Sequence, residues 1–202
     1  MKVVLIDHGV GNLRSVVKAL AAVGAEVDLT ADPSRVKKAD KLILPGVGAF
    51  ADAMNGLESR GLKEALLAAV GRHVPLLGIC VGMQLLFEIG EEHGQHPGLG
   101  LLPGRVVRFP AGDLTIPHTG WNQILGQRNS ELLEGIPAGS YAYFNHTYFC
   151  NPSREEDILA TTEYGQPYAS IVQRGKIFGV QFHPEKSQQV GLALLGNFVH
   201  RC

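Results

Sequence analysis

The chain has 202 residues, 45% of them hydrophobic, and a formal net charge of −1. This length can bury one sizeable core and is short for two, so we expect a single domain over residues 1–202. The balanced charge gives no indication of a nucleic-acid or membrane partner. Three cysteines do not make a disulfide framework, which favours a reducing, cytoplasmic location. No apolar stretch is long enough to span a membrane, and Asp7 interrupts the first apolar run before it could act as a secretory signal.

Strand and helix signals alternate in the first half of the chain. The predicted strands are short apolar or alternating runs, at residues 3–7, 26–30, 41–44 and 75–79. The predicted helices have apolar residues at helical spacing, at residues 13–23 (capped by Asn12 and ended by Gly24), 51–59 and 62–70. Residues 32–34 are predicted to form a turn. Strands separated by helices imply right-handed crossovers and a parallel sheet.

From about residue 104, short strand-like runs follow one another. They lie at residues 105–109, 121–125, 140–144, 158–163, 169–173 and 176–182, and Arg174-Gly175 predicts a hairpin turn between the last two. Residues 190–200 return to helical spacing. We therefore expect an α/β fold whose central, mixed and mostly parallel sheet is flanked by helices, with a more antiparallel second half.

The segment Gly78-Ile79-Cys80-Val81-Gly82 is the strongest sign of chemistry. It follows a predicted strand and precedes a helix-like run at residues 83–88, which is the context of a nucleophile elbow with Cys in place of Ser. Backbone N–H groups at the start of a helix would favour a thiolate there. A buried, inert cysteine is the ordinary alternative, but it does not explain the paired glycines. The two other cysteines lack this setting.

A histidine and a carboxylate follow about a hundred residues later, in Phe182-His183-Pro184-Glu185. His183 ends a predicted strand, at the edge where open α/β sheets bind ligands, and the following proline favours an extended backbone. Glu185 could accept the Nδ1 proton while Nε2 faces the thiol. Without Cys80, a surface histidine in a proline turn would be the default. With it, Cys80, His183 and Glu185 are predicted to form the catalytic triad of a hydrolase or acyl-transfer enzyme.

The segment Pro45-Gly46-Val47-Gly48 ends another central strand. Its glycines would let the N–H of Val47 point at an oxyanion, and the N–H of Val81 is the natural second donor. A phosphate-binding loop is the competing interpretation, but neither a Walker Lys-Ser/Thr nor G-x-G-x-x-G occurs. His93 and His96 lie in a loop without Cys-x-x-Cys, so no metal or cofactor is predicted.

With these motifs together, the chain resembles the class I, triad-type glutamine amidotransferases, and within them the family of glutaminase subunits of imidazole glycerol phosphate synthase. The motifs that carry this resemblance span nearly the whole chain: Gly11-Asn12-Leu13, Pro45-Gly46-Val47-Gly48, Cys80-Val81-Gly82-Met83-Gln84, Pro117-His118-Thr119-Gly120-Trp121-Asn122, His146-Thr147-Tyr148 and His183-Pro184-Glu185-Lys186-Ser187. The resemblance implies a flavodoxin-like fold. It also implies that glutamine is hydrolysed to glutamate and ammonia through a Cys80 thioester, with His183 moving the protons.

The resemblance further implies a substrate site and a partner. The residues that would hold glutamine are Gly46, Gly48, Gln84, Glu92, His146, Thr147 and Tyr148. The partner would be a (β/α)₈-barrel cyclase, joined to the chain as a heterodimer, which uses the ammonia to make imidazole glycerol phosphate and an aminoimidazole carboxamide ribonucleotide in histidine biosynthesis. Its interface would include Asn12, His118, Trp121 and Asn122, although Trp121 could also be a core residue.

Other assignments compete with this one. The glutaminase subunit of pyridoxal phosphate synthase has the same chemistry, but it usually carries Gly-Gly-Glu-Ser in place of Pro45-Gly46-Val47-Gly48. Stand-alone cysteine hydrolases of related architecture place the histidine soon after the cysteine, where this chain has Val81. A non-catalytic scaffold would be expected to have lost at least one member of the predicted triad.

Overall fold

The computed structural model describes residues 1–110, 112 and 114–202. Its first half contains β1 (Lys2–Ile6), α1 (Leu13–Ala22), β2 (Glu26–Thr30), α2 (Pro33–Lys37), β3 (Leu42–Leu44), α3 (Phe50–Ser59), α4 (Leu62–Val70), β4 (Leu76–Ile79) and α5 (Val81–Gln84). Its second half contains β5 (Phe87–Gly90), β6 (His96–Pro97), β7 (Leu102–Arg108), β8 (His118–Gly126), β9 (Ser140–His146), β10 (Tyr148–Pro152), β11 (Ile158–Glu163), β12 (Pro167–Arg174), β13 (Ile177–Val180) and α6 (Gln188–His200). None of these helices is long and apolar enough to cross a membrane.

All strands of the described residues belong to one mixed sheet. Strands β2, β1, β3, β4 and β13 run parallel in that order, and their apolar side chains form the centre of the core. From β13 the sheet continues antiparallel through β12, β10 and β7, and a branch carries β11, β8 and β9. The predicted α/β fold with a mixed sheet is therefore confirmed, including its more antiparallel second half.

The helix-like run at residues 83–88 is helical only at its first two residues. Helix α5 ends at Gln84, and Phe87 enters β5, which pairs in parallel with β7. Residues 81–87 are all buried, so their apolar side chains show no exposed face from which a helical period could be read. In such a segment the available strand partner, rather than the local pattern, decides the conformation.

Three smaller expectations also differ from the structure. Residues 32–34 start α2 instead of forming a simple turn, because the Asp32 carboxylate accepts the N–H of Ser34 at 2.8 Å and caps the helix. Asn12 does occupy the N-cap position of α1, but its side chain makes no capping hydrogen bond within the described residues. Strands β5, β6 and β10 were not predicted; β10 lies between β12 and β7 in the antiparallel half.

Candidate active site

Three loops meet at one edge of the parallel sheet. Strands β3, β4 and β13 are neighbours, with Leu44 opposite Gly78 and Ile79 opposite Val180. The loop after β3 is residues 45–48, called the glycine loop below, and Cys80 directly follows β4. His183 comes three residues after the end of β13. Because the carboxyl ends of parallel strands lie side by side, these distant parts of the sequence meet at this edge.

Cys80 lies in a strained turn. Its backbone has φ 54° and ψ −114°, a left-handed conformation that is unfavourable for a residue with a side chain. A Cβ on Gly78 would come within 2.6 Å of the Gly82 carbonyl oxygen, and a Cβ on Gly82 would overlap the carbonyl oxygen of Leu44. The glycines are therefore required by close backbone packing. This is the strand, sharp turn and helix of a nucleophile elbow, as the sequence predicted.

His183 is held from both its backbone and its ring. Its N–H donates to the carbonyl oxygen of Tyr143 on β9 at 2.9 Å, and its own carbonyl accepts the Ser187 hydroxyl at 2.7 Å. Its Nδ1 lies 2.9 Å from Oε1 of Glu185, whose side chain is only 1% exposed. With Nδ1 committed to the carboxylate, Nε2 is the nitrogen left for another group.

The surroundings of His183 favour its charged form. Burial lowers the pKa of His183, but hydrogen bonds with Cys80 and Glu185, together with the negative charges of these groups, raise it to about 10. At neutral pH the ring is then an imidazolium between a carboxylate and the sulfur. Helix α5, which follows Cys80, has only four residues, so the helix dipole that the sequence predicts at this position is weak.

The glycine loop lies directly against the elbow. A Cβ on Gly46 would come within 2.8 Å of the Gly82 backbone nitrogen and 3.0 Å of Val81 Cβ, so only glycine allows this contact. Gly48 has φ 83° and nothing within 4 Å of the position of a Cβ, so its requirement for glycine is conformational. Val47 and Val81, the predicted oxyanion donors, line the same cavity.

This cavity has a volume of about 230 Å³. Its lining residues come from several separate segments of the chain: Val47, Gly48, Cys80, Val81, Gln84, Glu92, Pro117, Asn145, His146, Thr147, Tyr148, His183 and Lys186. It is smaller than the roughly 300–1,000 Å³ of drug-sized pockets, which suits a small substrate. Of the residues predicted to bind substrate, all except Gly46 line the cavity, and Gly46 packs against Val81 and Gly82.

The polar groups of the cavity suit an α-amino acid. Gln84 uses its amide nitrogen to donate to Tyr148 O at 3.1 Å and to Gln181 Oε1 at 3.2 Å, which leaves its own oxygen as an acceptor. Glu92 accepts the N–H of Phe50 at 2.8 Å through one carboxylate oxygen. Lys186, which the sequence analysis missed, also lines the cavity, and its ammonium nitrogen lies 5.6 Å from the centre of the Tyr143 ring. An acceptor, a carboxylate and an ammonium can together bind a zwitterion.

Two buried histidines lie at or next to this cavity: His146 lines it, and His118 contacts His146. His118 and His146 are opposite each other on β8 and β9. Since the Tyr148 carbonyl can only accept, His146 donates to it from Nδ1 (2.8 Å). Its Nε2 is left as an acceptor and lies 3.2 Å from Nδ1 of His118 and 3.3 Å from the Tyr168 hydroxyl, either of which can donate to it. Burial lowers the pKa of His118 to about 4 and that of His146 to about 3, so both are neutral. The pair therefore orients the carbonyl that also holds Gln84.

This pair predicts a specific loss of stability in acid. Both folded pKa values lie below the 6.5 of an ordinary histidine, so between pH 6.5 and 4 the unfolded chain binds more protons than the folded chain. The contribution of the two histidines to the free energy of unfolding is therefore fully present above pH 6.5. Below that pH it falls by up to about 1.4 kcal/mol per pH unit for each histidine. We expect His146→Gln to reduce the slope of the free energy of unfolding against pH by the part that one histidine contributes. Urea titrations at several pH values measure this slope. Parallel curves for the variant and the wild type would contradict this.

The residues predicted to contact a partner separate into exposed and buried positions. His118 is 3% exposed and stacks between Phe144 and Tyr164, so its predicted place in an interface is corrected: it cannot touch another protein without rearrangement. Trp121 is 47% exposed and is thus a surface residue rather than a core residue. Asn12 is exposed, and Asn122 is half-buried and donates to the Glu163 carbonyl at 2.8 Å.

Beyond the predicted residues, Pro117, Asn145 and Lys186 also line the cavity. Lys186 had a signal in the sequence, since it directly follows the predicted orienter Glu185. Asn145 and Pro117 had none, because they reach the cavity only through the pairing of β8 with β9.

Comparison with known proteins agrees with this geometry. The family model of class-I glutamine amidotransferases matches residues 4–202. Imidazole glycerol phosphate synthase subunit HisH of Moorella thermoacetica is 53% identical over 97% of this chain and 93% of its own length, and that of Aquifex aeolicus is 49% identical over 100% and 98%. Among solved structures, a glutamine amidotransferase has a TM-score of 0.75 at 21% identity (96% and 98% covered), and PurLQS from Thermotoga maritima has 0.77 at 17% (98% and 96%). The chain therefore belongs to the class-I glutamine amidotransferase family and, within it, to the family of imidazole glycerol phosphate synthase HisH subunits.

Proposed function

We propose that this chain hydrolyses glutamine to glutamate and ammonia and supplies the ammonia to a separate cyclase subunit. The observation that carries the proposal is one cavity lined by both Cys80 and His183, with Nδ1 of His183 hydrogen-bonded to Glu185. The HisH names of its relatives agree with this assignment.

In the first half of the reaction, the Cys80 sulfur attacks the side-chain amide carbon of glutamine. The carbonyl oxygen gains negative charge, and the N–H groups of Val47 and Val81 stabilise it. The C–N bond then breaks, and the His183 imidazolium gives its Nε2 proton to the leaving nitrogen, which departs as ammonia. Glu185 keeps the ring in the tautomer and orientation that this transfer needs. The product on the enzyme is a Cys80 thioester.

In the second half, water attacks the thioester carbon while His183, now neutral, takes a proton from that water. The C–S bond breaks, glutamate leaves, and the thiolate and imidazolium return to their starting state. During both steps we expect the α-amino group of the substrate to lie against Glu92 and the oxygen of Gln84. The α-carboxylate would then lie toward Lys186 and Thr147.

A partner explains where the ammonia goes. Ammonia is mostly protonated in water at neutral pH, and ammonium is not a nucleophile, so a product used for synthesis must pass directly to the next site. The relatives are subunits of imidazole glycerol phosphate synthase, and we propose a (β/α)₈-barrel cyclase as the partner here. Exposed Trp121, Tyr141 and Leu125 on neighbouring strands β8 and β9 provide an apolar surface suited to such a contact.

The test is glutamate release by the chain alone and with the cyclase from its own host. We expect slow hydrolysis by the chain alone and a rise of roughly 10- to 100-fold when the cyclase and its ribulosyl phosphate ligand are added. A complex containing Cys80→Ala is the matched control, because it should assemble but release no glutamate. Full activity of the chain alone would contradict the coupling to a partner, and no glutamate release under either condition would contradict the whole proposal.

A further inference from the structure

A buried histidine outside the predicted triad contacts the glycine loop. His8 follows β1 and is 1% exposed, and its Nε2 lies 2.7 Å from the carbonyl oxygen of Pro45. The sequence analysis assigned it no role. It is not among the residues that line the cavity, so any effect on the reaction must pass through the loop that it holds.

The protonation of His8 follows from its neighbours. A carbonyl oxygen can only accept, so Nε2 carries the proton and donates it to Pro45. The other nitrogen, Nδ1, is buried and has no hydrogen-bond partner among the described residues. Burial also lowers the pKa of His8. The ring is therefore a neutral donor, committed to a single acceptor.

The position of His8 is fixed by its own surroundings. The Arg60 guanidinium donates to the backbone carbonyl of His8 at 2.9 Å. Helix α3 packs so closely on this residue that a Cβ on Gly56 would overlap the same carbonyl oxygen and lie 3.5 Å from Nδ1. The helix thus carries a glycine in its interior at the point of contact, although glycine weakens helices. This close packing leaves the ring little freedom to turn away from Pro45.

The Pro45 carbonyl is the point at which the glycine loop can be anchored. Gly46 follows and packs on the peptide between Val81 and Gly82, and Val47, which comes next, lines the cavity. Because glycines flank Val47, its peptide has unusual torsional freedom and needs an external restraint to keep one orientation. The hydrogen bond from His8 restrains the peptide immediately before this free segment.

We propose that His8 is a positioning residue for glutamine hydrolysis, which holds the Pro45 carbonyl and thereby sets the orientation of the Val47 N–H toward the oxyanion. The inference rests on the proposed function, since it requires an oxyanion to form beside Cys80. It predicts an effect on the chemical step and none on the reactivity of the sulfur. Alkylation of a thiol forms no oxyanion, so it does not use the Val47 N–H.

Two variants of His8 separate this role from simple packing. His8→Phe keeps a ring but loses the donor, and His8→Gln keeps an N–H donor at about the position of Nε2. In the complex with the cyclase, we expect His8→Phe to lower kcat by roughly 10- to 100-fold with KM little changed. The reason is that a misplaced oxyanion donor reduces the stabilisation of the transition state and leaves substrate binding unchanged. His8→Gln should recover most of this loss. The rate of Cys80 alkylation by iodoacetamide should match the wild type in both variants.

Several results would overturn the proposal. They are an unchanged kcat in His8→Phe, equal losses in the Phe and Gln variants, or alkylation that slows in parallel with kcat, which would indicate general distortion. Thermal unfolding of each variant shows whether it is folded, and His8→Leu replaces His8→Phe if the latter is not. An active wild type with an unaffected His8→Phe refutes only this inference, whereas a wild type without glutaminase activity refutes the proposed function.

Discussion

Replacing Cys80 by Ala should lower glutamine hydrolysis by at least about 10⁴-fold, because no other described residue that lines the cavity has a thiol to form the thioester. The fold should persist. The substitution removes one buried sulfur atom, and alanine meets the same positive φ as cysteine does, so the strain of the elbow is unchanged. Glutamate release measures the first expectation, and thermal unfolding measures the second.

Cys150 offers a matched control. It is also a buried free cysteine, on β10, and burial raises its pKa well above the ordinary value, so it remains a thiol. Cys150→Ala should cost a similar amount of packing and leave hydrolysis close to the wild type. Substantial hydrolysis by Cys80→Ala, or an equal loss in Cys150→Ala, would refute the assignment of Cys80 as the nucleophile.

The elbow could be predicted from the sequence because its determinants are local. Glycines two residues before and after Cys80 are required by close approach to neighbouring backbone, and that requirement is visible in the sequence itself. The convergence of Cys80 with His183 followed from a general rule, that loops at the carboxyl ends of parallel strands share one edge. Neither inference needed knowledge of a side-chain contact.

Of the predicted interface residues, His118 is the one whose burial disagrees with the prediction, and the period of a strand explains why. His118 and Trp121 are three residues apart on β8, and successive side chains of a strand point to opposite faces. Their side chains therefore lie on opposite faces of β8. His118 is on the buried face, and Trp121 is on the exposed face. The resemblance suggested both residues because it was based on a motif, without asking which way each side chain points.

Other parts of the site depend on long-range pairing that no local pattern reveals. Asn145 reaches the cavity because β9 pairs with β8, and the backbone of His183 is anchored on Tyr143 of the same strand. Similarly, Pro45 meets His8 across 37 residues of sequence. Such contacts are set by the assembled sheet, so they became visible only in the structure.

Replacing Glu185 by Gln should lower kcat by roughly 10²- to 10⁴-fold, as loss of the carboxylate does in other triads. Oxygen Oε1 accepts the Nδ1 proton of His183, and Oε2 is buried without a hydrogen-bond partner among the described residues. An amide at this position must either turn its NH₂ toward His183, which favours the wrong tautomer, or bury that NH₂ at the Oε2 site without an acceptor. Both arrangements misplace the proton that His183 transfers.

The pH dependence distinguishes this electrostatic role from packing. The Glu185 charge is one of the causes that raise the pKa of His183 to about 10, so its removal should lower that pKa. His183 must be protonated to give a proton to the leaving ammonia, and activity is therefore lost as pH rises through its pKa. We expect the alkaline limb of kcat/KM to move to lower pH in Glu185→Gln, and to move less in Glu185→Asp, which keeps the charge.

Glu64→Gln provides the control for a change of one charge, since Glu64 is exposed on α4, remote in sequence from the elbow and from His183. It should leave both kcat and the pH profile as in the wild type. If Glu185→Gln lowered kcat without moving the alkaline limb, the carboxylate would act only by holding the ring in place. If Glu185→Gln changed neither kcat nor the position of the alkaline limb, the charged form of His183 would be stabilised by the sulfur alone. Glu185 would then not belong to the catalytic unit.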